Sequence, residues 1–164
     1  QLADIMQAAA DTGATVAYVK PHGALYNLAA VTPEAAAAIA AAVRGVDPGL
    51  VLLGLAGSAL MSEGARAGLA TAAEGFADRA YHADGSLAPR SEPGSVIHEV
   101  DMVVTRAVRM VCEHTVVASD GTTMRFEADT LCLHGDTPGA AVLAAAVRRG
   151  LEDAGVMVAP LTRR

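Results

Sequence analysis

Short apolar runs alternate with longer stretches in which apolar residues recur at helical spacing. The runs that predict buried strands are Ala14–Val19, Leu50–Leu53, Leu69–Glu74, Thr130–Leu133 and Val156–Val158. The stretches that predict helices are residues 1–11, the Ala-rich segment that ends at Arg44, Ser58–Ala67, Ser95–Cys112 and a segment that starts at Thr137. Strands and helices that alternate in this way are typical of an α/β fold, and we expect a single domain over residues 1–164.

Two of the connections between predicted elements are themselves informative. Ser119–Thr122 contains Asp-Gly between two short β-prone runs, which predicts a hairpin of residues 115–118 with residues 123–126. The polar stretch Phe76–Gly94 is long for a connection in a compact domain. Loops of that length are usually functional or disordered, so this segment is a candidate part of a site.

Reactive side chains follow two of the predicted strands. Lys20 and His22 come directly after Val19, and His134 comes directly after Leu133. In each case His-Gly is followed by a predicted helix start. Because the carboxyl ends of parallel strands gather at one edge of a sheet, we expect these side chains to converge on one cleft.

Each of these residues also has a simpler interpretation. Lys20, at the end of an apolar run, must either extend to solvent or meet an anion, and it is equally compatible with a surface lysine beside a core histidine. Asp136 and Thr137 both suit the N-cap of the following helix. Alternatively, Asp136 orients His134 as an acid/base pair, and Gly135 lets the backbone approach an anionic ligand.

A third group of charged and polar residues follows the strand that ends near Glu74. Scattered loop charges are usually solvated, and that interpretation suits Glu74 and Arg90 taken singly. Their position after a third strand favours a role in the same cleft. There, Asp78 is able to hold a metal or polarise water, and Arg79 is able to bind a carboxylate or phosphate through two hydrogen bonds.

Composition excludes several classes of function. The chain carries a net charge of −6 and only 3% aromatic residues, so we expect no nucleic-acid partner. Its longest uncharged run, Pro48–Ser62, is too short to span a bilayer, and no secretory signal is present. Cys112 and Cys132 form no metal-binding or disulfide pattern. We therefore expect a soluble cytoplasmic protein with reduced thiols.

Four sequence blocks resemble the signatures of the LamB/YcsF family. They are VKPHGALYN (Val19–Asn27), EGFADRAY (Glu74–Tyr81), LAPR with Arg90, and LCLHGDTPGA (Leu131–Ala140), in family order. The resemblance implies a TIM-like (β/α) barrel of the glycoside hydrolase/deacetylase type. A complete barrel usually needs about 250 residues. The family's N-terminal motifs have no counterpart here, so we expect an N-terminally truncated chain that holds the C-terminal two-thirds of a barrel.

The resemblance also implies a function. The family forms the A subunit of bacterial ATP-dependent 5-oxoprolinase, which cleaves 5-oxo-L-proline to L-glutamate with ATP hydrolysis and works with B and C subunits. It further carries an association with carbohydrate metabolism. The expected catalytic residues are Lys20, His22, Asp78, His134 and Asp136. The expected substrate-binding residues are Tyr26, Asn27, Glu74, Arg79, Tyr81, Arg90 and Gly135. The expected cofactors are ATP and, optionally, a divalent metal, either Mg²⁺ or Zn²⁺.

Two other functions fit the same residues. The first is a metal-dependent hydrolase similar to polysaccharide deacetylases, in which His22, His134 and Asp136 bind Zn²⁺. The second is a non-catalytic subunit that only binds substrate or holds a partner enzyme. The sequence does not locate ATP, because the glycine-containing run at residues 54–59 lacks the lysine of a P-loop.

Overall fold

The computed structural model describes residues 1–135 and 139–161. Its internal contacts divide the chain into two compact units. Unit 1 comprises Gln1–Ala73 together with Pro160 and Leu161, and unit 2 comprises Glu74–Ala159. The single domain expected from the sequence stays a prediction.

Unit 1 alternates strands and helices around parallel β-structure. Its elements are α1 (Leu2–Asp11), β1 (Tyr18–Val19), α2 (Ala24–Val31), α3 (Pro33–Val46), β2 (Val51–Leu55), α4 (Ala59–Arg66) and the start of β3 (Ala70–Phe76). The strands follow the order β1-β2-β3, and β1 pairs with β2 in parallel with Tyr18 opposite Val51. The chain therefore delivers the residues after β1 and β2 to the same edge of this unit.

Both faces of β2 are buried. Leu52 packs with Ala36, Ala40 and Val43, which recur along one side of α3. Val51, one position earlier on the strand, packs on the opposite face in a second apolar cluster. Successive strand residues point to opposite faces, and burial of both explains why this strand is a continuous apolar run without alternation.

Unit 2 begins with the end of β3 and continues with one more parallel strand and a hairpin. Its other elements are α5 (Val100–Val108), β4 (Thr115–Val117), β5 (Thr123–Arg125), β6 (Thr130–Cys132) and α6 (Ala140–Asp153), with a π-helical turn at Arg109–Glu113 after α5. β6 pairs with β3 in parallel, with Phe76 opposite Cys132. The predicted hairpin is confirmed, because β4 and β5 pair antiparallel.

Helices α5 and α6 pack closely. The buried residues Val103 and Ala107 of α5 and Met110 of the π-helical turn that follows it recur at helical spacing. On α6, Gly150 faces Val104, and a Cβ at that glycine would lie 2.4 Å from the Val104 side chain. The absence of a side chain at Gly150 therefore permits the close approach of α5 and α6.

Three element predictions were wrong. The helix expected over Ser95–Cys112 begins only at Val100, because backbone groups of Ser95 and Ile97 bond to the segment after β3, and its last turn is π-helical. The strand expected over Ala14–Val19 is ordered as a strand only at Tyr18–Val19. Val156–Val158 forms no strand, since the amide of Val156 bonds back to the end of α6. The expected helix start at Thr137 lies outside the described residues, and α6 begins at Ala140.

Within residues 1–135 and 139–161 no single helix is long and apolar enough to cross a bilayer. Helices α2 and α3 reach the necessary length and composition only as a pair that bends by 114°.

Candidate active site

The centre of the candidate site is a hydrogen-bonded pair in unit 2. Asp78 follows β3 and His134 follows β6, two strands that run parallel side by side. Oδ2 of Asp78 lies 2.8 Å from Nδ1 of His134, and the same oxygen accepts from the backbone N–H of His134 at 3.2 Å. One carboxylate oxygen therefore fixes both the ring and the backbone of this histidine.

The pairing sets the chemistry of the imidazole. An ionised carboxylate only accepts hydrogen bonds, so Nδ1 of His134 carries the proton that it donates to Asp78. The ring of Phe76 stacks on the imidazole with centroids 5.7 Å apart and an interplanar angle of 19°. Nε2 is left as the basic nitrogen. Since 22% of the His134 side chain is exposed, the ring remains accessible to a ligand.

The carboxylate itself is buried. Asp78 is only 2% exposed, and its Oδ1 has no hydrogen-bond partner among the residues that the structure describes. A buried carboxylate oxygen without a partner is costly, which is typical of a group retained for chemistry rather than for stability. The sequence prediction that Asp78 belongs to an acid/base site is consistent with this placement.

The segment that carries Asp78, residues 77–99 between β3 and α5, is held by backbone hydrogen bonds. Ala80 donates to the carbonyl of Ser95, Ile97 donates to the carbonyl of Asp78, and Ala88 donates to the carbonyl of Ala80. We call it the β3–α5 segment. The length of the stretch Phe76–Gly94 predicted either function or disorder, and the structure gives it a defined conformation that places Asp78.

Arg79 lies inside this segment. Its Nε donates to the carbonyl of Ser95 at 3.1 Å, and its Nη2 donates to the carbonyl of Ala88. Burial and the nearby Arg90 lower the pKa of Arg79 from its ordinary value. These contacts give the guanidinium a role in holding the β3–α5 segment, whereas its predicted role as an anion ligand stays a prediction.

Tyr81 is fully buried, with 0% of its surface exposed. Its hydroxyl oxygen accepts from the backbone N–H of Phe76 at 2.8 Å, and its ring packs edge-on against Phe126. Burial raises the pKa of Tyr81 well above its ordinary value, so the phenol stays neutral. The residue braces the end of β3 from within, and its expected contact with substrate stays a prediction.

The two remaining predicted residues of this group differ in burial. Glu74 is buried, and it lies on the same face of β3 as Phe76 because strand residues alternate. Arg90 is exposed. The interpretation as a solvated loop charge therefore agrees with the exposure of Arg90 and disagrees with that of Glu74.

Unit 1 carries the other predicted group. Lys20 is half-buried after β1, and its Nζ lies 5.5 Å from the centroid of the Tyr26 ring, which is a cation–π contact. His22 and Asn27 are exposed. Gly23 precedes α2 at φ 62° and ψ −135°, a conformation that suits only glycine. Convergence of this group with Asp78 and His134 stays a prediction.

Two expectations concern residues near the gap in the description. Asp136 lies outside the described residues, and Asp78 provides the carboxylate that orients His134. Gly135 directly follows His134 in a turn. Within residues 1–135 and 139–161, no group of three or more His, Cys, Asp or Glu side chains is arranged to hold a metal ion. The donor set proposed for Zn²⁺ includes Asp136, so it stays a prediction.

Sequence reasoning did not identify Arg106 of α5. Its guanidinium donates to three backbone carbonyls, two of which belong to Ala77 and Arg79, on either side of Asp78. The available signal was a cation three residues after Val103, at the edge of an apolar helix face. That signal indicates a border position only, because the acceptors lie 27 and 29 residues away in sequence.

Comparisons with known proteins agree with this description. The sequence model of the LamB/YcsF family matches residues 1–164. The A subunit of 5-oxoprolinase from Heliobacterium modesticaldum is 56% identical over 146 residues, which is 89% of this chain and 58% of that protein. The protein of the same name from Mycobacterium avium is 48% identical over 158 residues, which is 96% of this chain and 63% of that protein. The chain thus spans about three-fifths of the length of these relatives.

A solved structure is similar as well. The lactam utilization protein from Thermus thermophilus is 46% identical, with a TM-score of 0.85, over 93% of this chain and 61% of that one. The predicted α/β fold is confirmed by this likeness and by the parallel strands. The comparisons give no support to the association with carbohydrate metabolism. Both the family match over residues 1–164 and the similarity of the relatives lead to one conclusion: the chain belongs to the LamB/YcsF family.

Proposed function

We propose that this chain is part of the A subunit of an ATP-dependent 5-oxoprolinase, which cleaves 5-oxo-L-proline to L-glutamate with hydrolysis of ATP. Two relatives that are named as this subunit of 5-oxoprolinase, at 56% and 48% identity, support the proposal. The reaction belongs to the whole protein, of which the chain spans about three-fifths in those relatives. The B and C subunits are the proposed partners, and the cytoplasm is the proposed location.

The observation that carries the proposal is the Asp78–His134 pair. A lactam carbonyl is stabilised by resonance and is a poor electrophile, and ATP supplies the phosphoryl group that activates its oxygen. Water must then add to the carbonyl carbon, and the C–N bond must break as the ring nitrogen takes a proton. The acyl phosphate that this leaves reacts with a second water to give L-glutamate and inorganic phosphate. A partly exposed imidazole oriented by a carboxylate at 2.8 Å suits both proton transfers.

In this mechanism each member of the pair has a distinct role. Nε2 of His134 takes the proton of the attacking water and returns it to the departing nitrogen. The carboxylate of Asp78 accepts the hydrogen bond from Nδ1 and stabilises the imidazolium that forms. The stacked ring of Phe76 keeps the imidazole plane fixed during both transfers.

The negative charge of the substrate carboxylate and of the phosphoryl group requires a cationic side chain to stabilise it. We assign this role to Lys20, which follows β1 and is half-buried, so that its ammonium is less screened than a fully exposed one. A lysine acts as a compact point charge toward a carboxylate or phosphoryl group. Arg79 is a less suitable anion ligand, because two of its nitrogens already donate to backbone carbonyls.

Reconstitution tests the function. The chain, extended to the length of its relatives, is assembled with the B and C subunits, and formation of L-glutamate and ADP from 5-oxo-L-proline and ATP is measured. Asp78→Asn keeps the shape of the side chain and removes its charge, so we expect turnover to fall about 10²–10⁴-fold. Asp120→Asn, in the exposed β4–β5 turn, is the matched control and should retain activity.

The alternatives predict other outcomes. If Asp78→Asn and Asp120→Asn are equally active, the Asp78–His134 pair performs no proton transfer. If Asp78→Asn lowers neither turnover nor substrate affinity while the partner subunits are active alone, this chain has a non-catalytic role. If chelators abolish activity and added Zn²⁺ restores it, the metal-dependent hydrolase gains the support that it lacks among the described residues.

A further inference from the structure

We propose that Arg106 is a positioning residue, which aims the carboxylate of Asp78 at His134 by holding the backbone carbonyls of the residues before and after it. Nε of Arg106 donates to the carbonyl of Ala77 at 3.1 Å, and Nη2 donates to the carbonyl of Arg79 at 2.8 Å. Because it concerns the same pair of residues, this inference rests on the proposed function.

A backbone hydrogen bond also holds Asp78 itself. Its own carbonyl accepts from the amide of Ile97 at 2.9 Å, between the two carbonyls that Arg106 holds. Three consecutive carbonyls, those of residues 77, 78 and 79, therefore all have donors. Because this backbone is held in place, the side chain of Asp78 extends from it in a defined direction.

The carboxylate needs this support because it gains little orientation from its own contacts. Among the described residues, the hydrogen bonds of the Asp78 carboxylate both use Oδ2, and both donors belong to His134. Oδ1 is buried and has no partner among the described residues. Hydrogen bonds to Oδ1 would normally fix the plane of a carboxylate, so the backbone must supply that constraint here.

Arginine is the side chain suited to this task. Its planar group presents several donors in a fixed fork, so one residue is able to hold two carbonyls at once. The third contact, from Nη1 to the carbonyl of Val117 at 3.4 Å, ties the same fork to β4. Burial lowers the pKa of Arg106 from its ordinary value, and the carbonyl oxygens offset part of the cost of burying the charge.

The base of this side chain is rigid. On α5, Val103 and Ala107 are fully buried, one on each side of Arg106 in sequence. The close contact of Val104 with Gly150 of α6 also restricts movement of the helix. Arg106 thus connects a loop residue, Asp78, to a packed helix. Supporting residues usually maintain catalytic geometry in this way.

The test compares Arg106→Gln and Arg106→Lys with Val103→Ala. Val103→Ala shortens a fully buried side chain of the same helix and leaves Arg106 and its hydrogen bonds in place, so it controls for loss of packing. In the reconstituted complex, we expect Arg106→Gln to lower kcat about 10–100-fold with KM changed less than about twofold. We expect Arg106→Lys to behave like Arg106→Gln, because an ammonium lacks the fork that spans both carbonyls.

A second readout does not depend on the reaction. In protein labelled with ¹⁵N-histidine, the Nδ1–H proton of His134 should give a protected signal in the wild type and in Val103→Ala. We expect that signal to be lost in Arg106→Gln and Arg106→Lys. Circular dichroism at the same temperature shows that each variant is folded, and Arg106→Lys retains the charge if Arg106→Gln does not fold.

The outcomes separate the two proposals. Unchanged kcat and an unchanged His134 signal in a folded Arg106→Lys variant would overturn the positioning role. Restoration of the wild-type rate by Arg106→Lys would overturn it too, because charge alone would then be sufficient. If the wild-type complex forms no glutamate, the proposed function fails, while loss of the His134 signal in the Arg106 variants still supports the positioning role.

Discussion

The two His-Gly segments look alike in sequence, yet the structure treats them differently. After β1, His22 is exposed, and Gly23 leads directly into α2. After β6, His134 is held by two hydrogen bonds to Asp78 and by the stacked ring of Phe76. The difference comes from the partner strand, because β3 delivers both Phe76 and Asp78 beside β6.

A motif therefore places a histidine, but its chemistry depends on what another part of the chain brings to it. An exposed imidazole has its rotamer and its tautomer set by solvent, whereas His134 has both set by protein groups. The comparison favours His134 over His22 for the proposed acid/base chemistry. It leaves His22 as a candidate for contact with substrate, beside the strand end where its sequence motif places it.

Substitution of each histidine by alanine should show the difference between the two His-Gly segments most clearly. We expect His134→Ala to lower glutamate formation by the reconstituted complex about 10²–10⁴-fold, the range for loss of a general acid or base. The loss in His22→Ala should be much smaller and should fall mainly on KM. Equal losses of kcat in both variants would show that the two segments are equivalent after all.

Lys20→Met tests the cation that follows β1. We expect turnover to fall about 10²–10³-fold if the ammonium stabilises developing negative charge. The melting temperature should change little, because the charge contributes little to stability and the methionine retains most of the stem over Tyr26. A large drop in melting temperature with activity retained would instead make Lys20 a structural residue.

Tyr81→Phe tests the internal bracing of the segment after β3. The variant removes the buried hydrogen bond between the Phe76 amide and the Tyr81 hydroxyl, so we expect the free energy of unfolding to fall by about 1–3 kcal/mol. Tyr18→Phe, at a half-exposed tyrosine in β1, is the control and should be nearly neutral. Urea denaturation measures both, and equal stabilities would show that the Tyr81 hydroxyl contributes nothing.

The smallest expected effect concerns Asp84 at the tip of the β3–α5 segment. Its carboxylate accepts from the hydroxyl and the amide of Ser86, and these bonds lower the pKa of Asp84. A lowered pKa in the folded state stabilises the protein at neutral pH, and the contribution is lost as pH falls through that pKa. The stability difference between wild type and Asp84→Asn should therefore shrink on acidification, and a constant difference would contradict it.

Several features were predictable from sequence because their causes are local. The apolar run of β2, the hairpin at Ser119–Thr122 and the proline start of α3 each depend on neighbouring residues. The ends of elements were less predictable. Ser95–Glu99 has a helical pattern, but its backbone bonds to the segment after β3, and that competition is invisible in a window of sequence.

The site shows the same limit. Asp78 and His134 were both candidates, but their pairing joins residues 56 positions apart, so the sequence offered Asp136 as the nearer partner. The buried hydrogen bonds of Arg79 and Tyr81 also depend on distant groups. Residue types and strand ends were sufficient to nominate the site, while the direction of each side chain required the fold.

Chemical rescue of His134→Ala tests the central claim most directly. If the imidazole oriented by Asp78 transfers the protons, imidazole added to the reconstituted His134→Ala complex should restore part of the lost rate of glutamate formation, in proportion to the concentration of neutral imidazole. The same addition should not restore the rate in Asp78→Asn, which retains its own histidine. A His134→Ala complex that forms glutamate at the wild-type rate, or one that imidazole does not accelerate, would contradict the account.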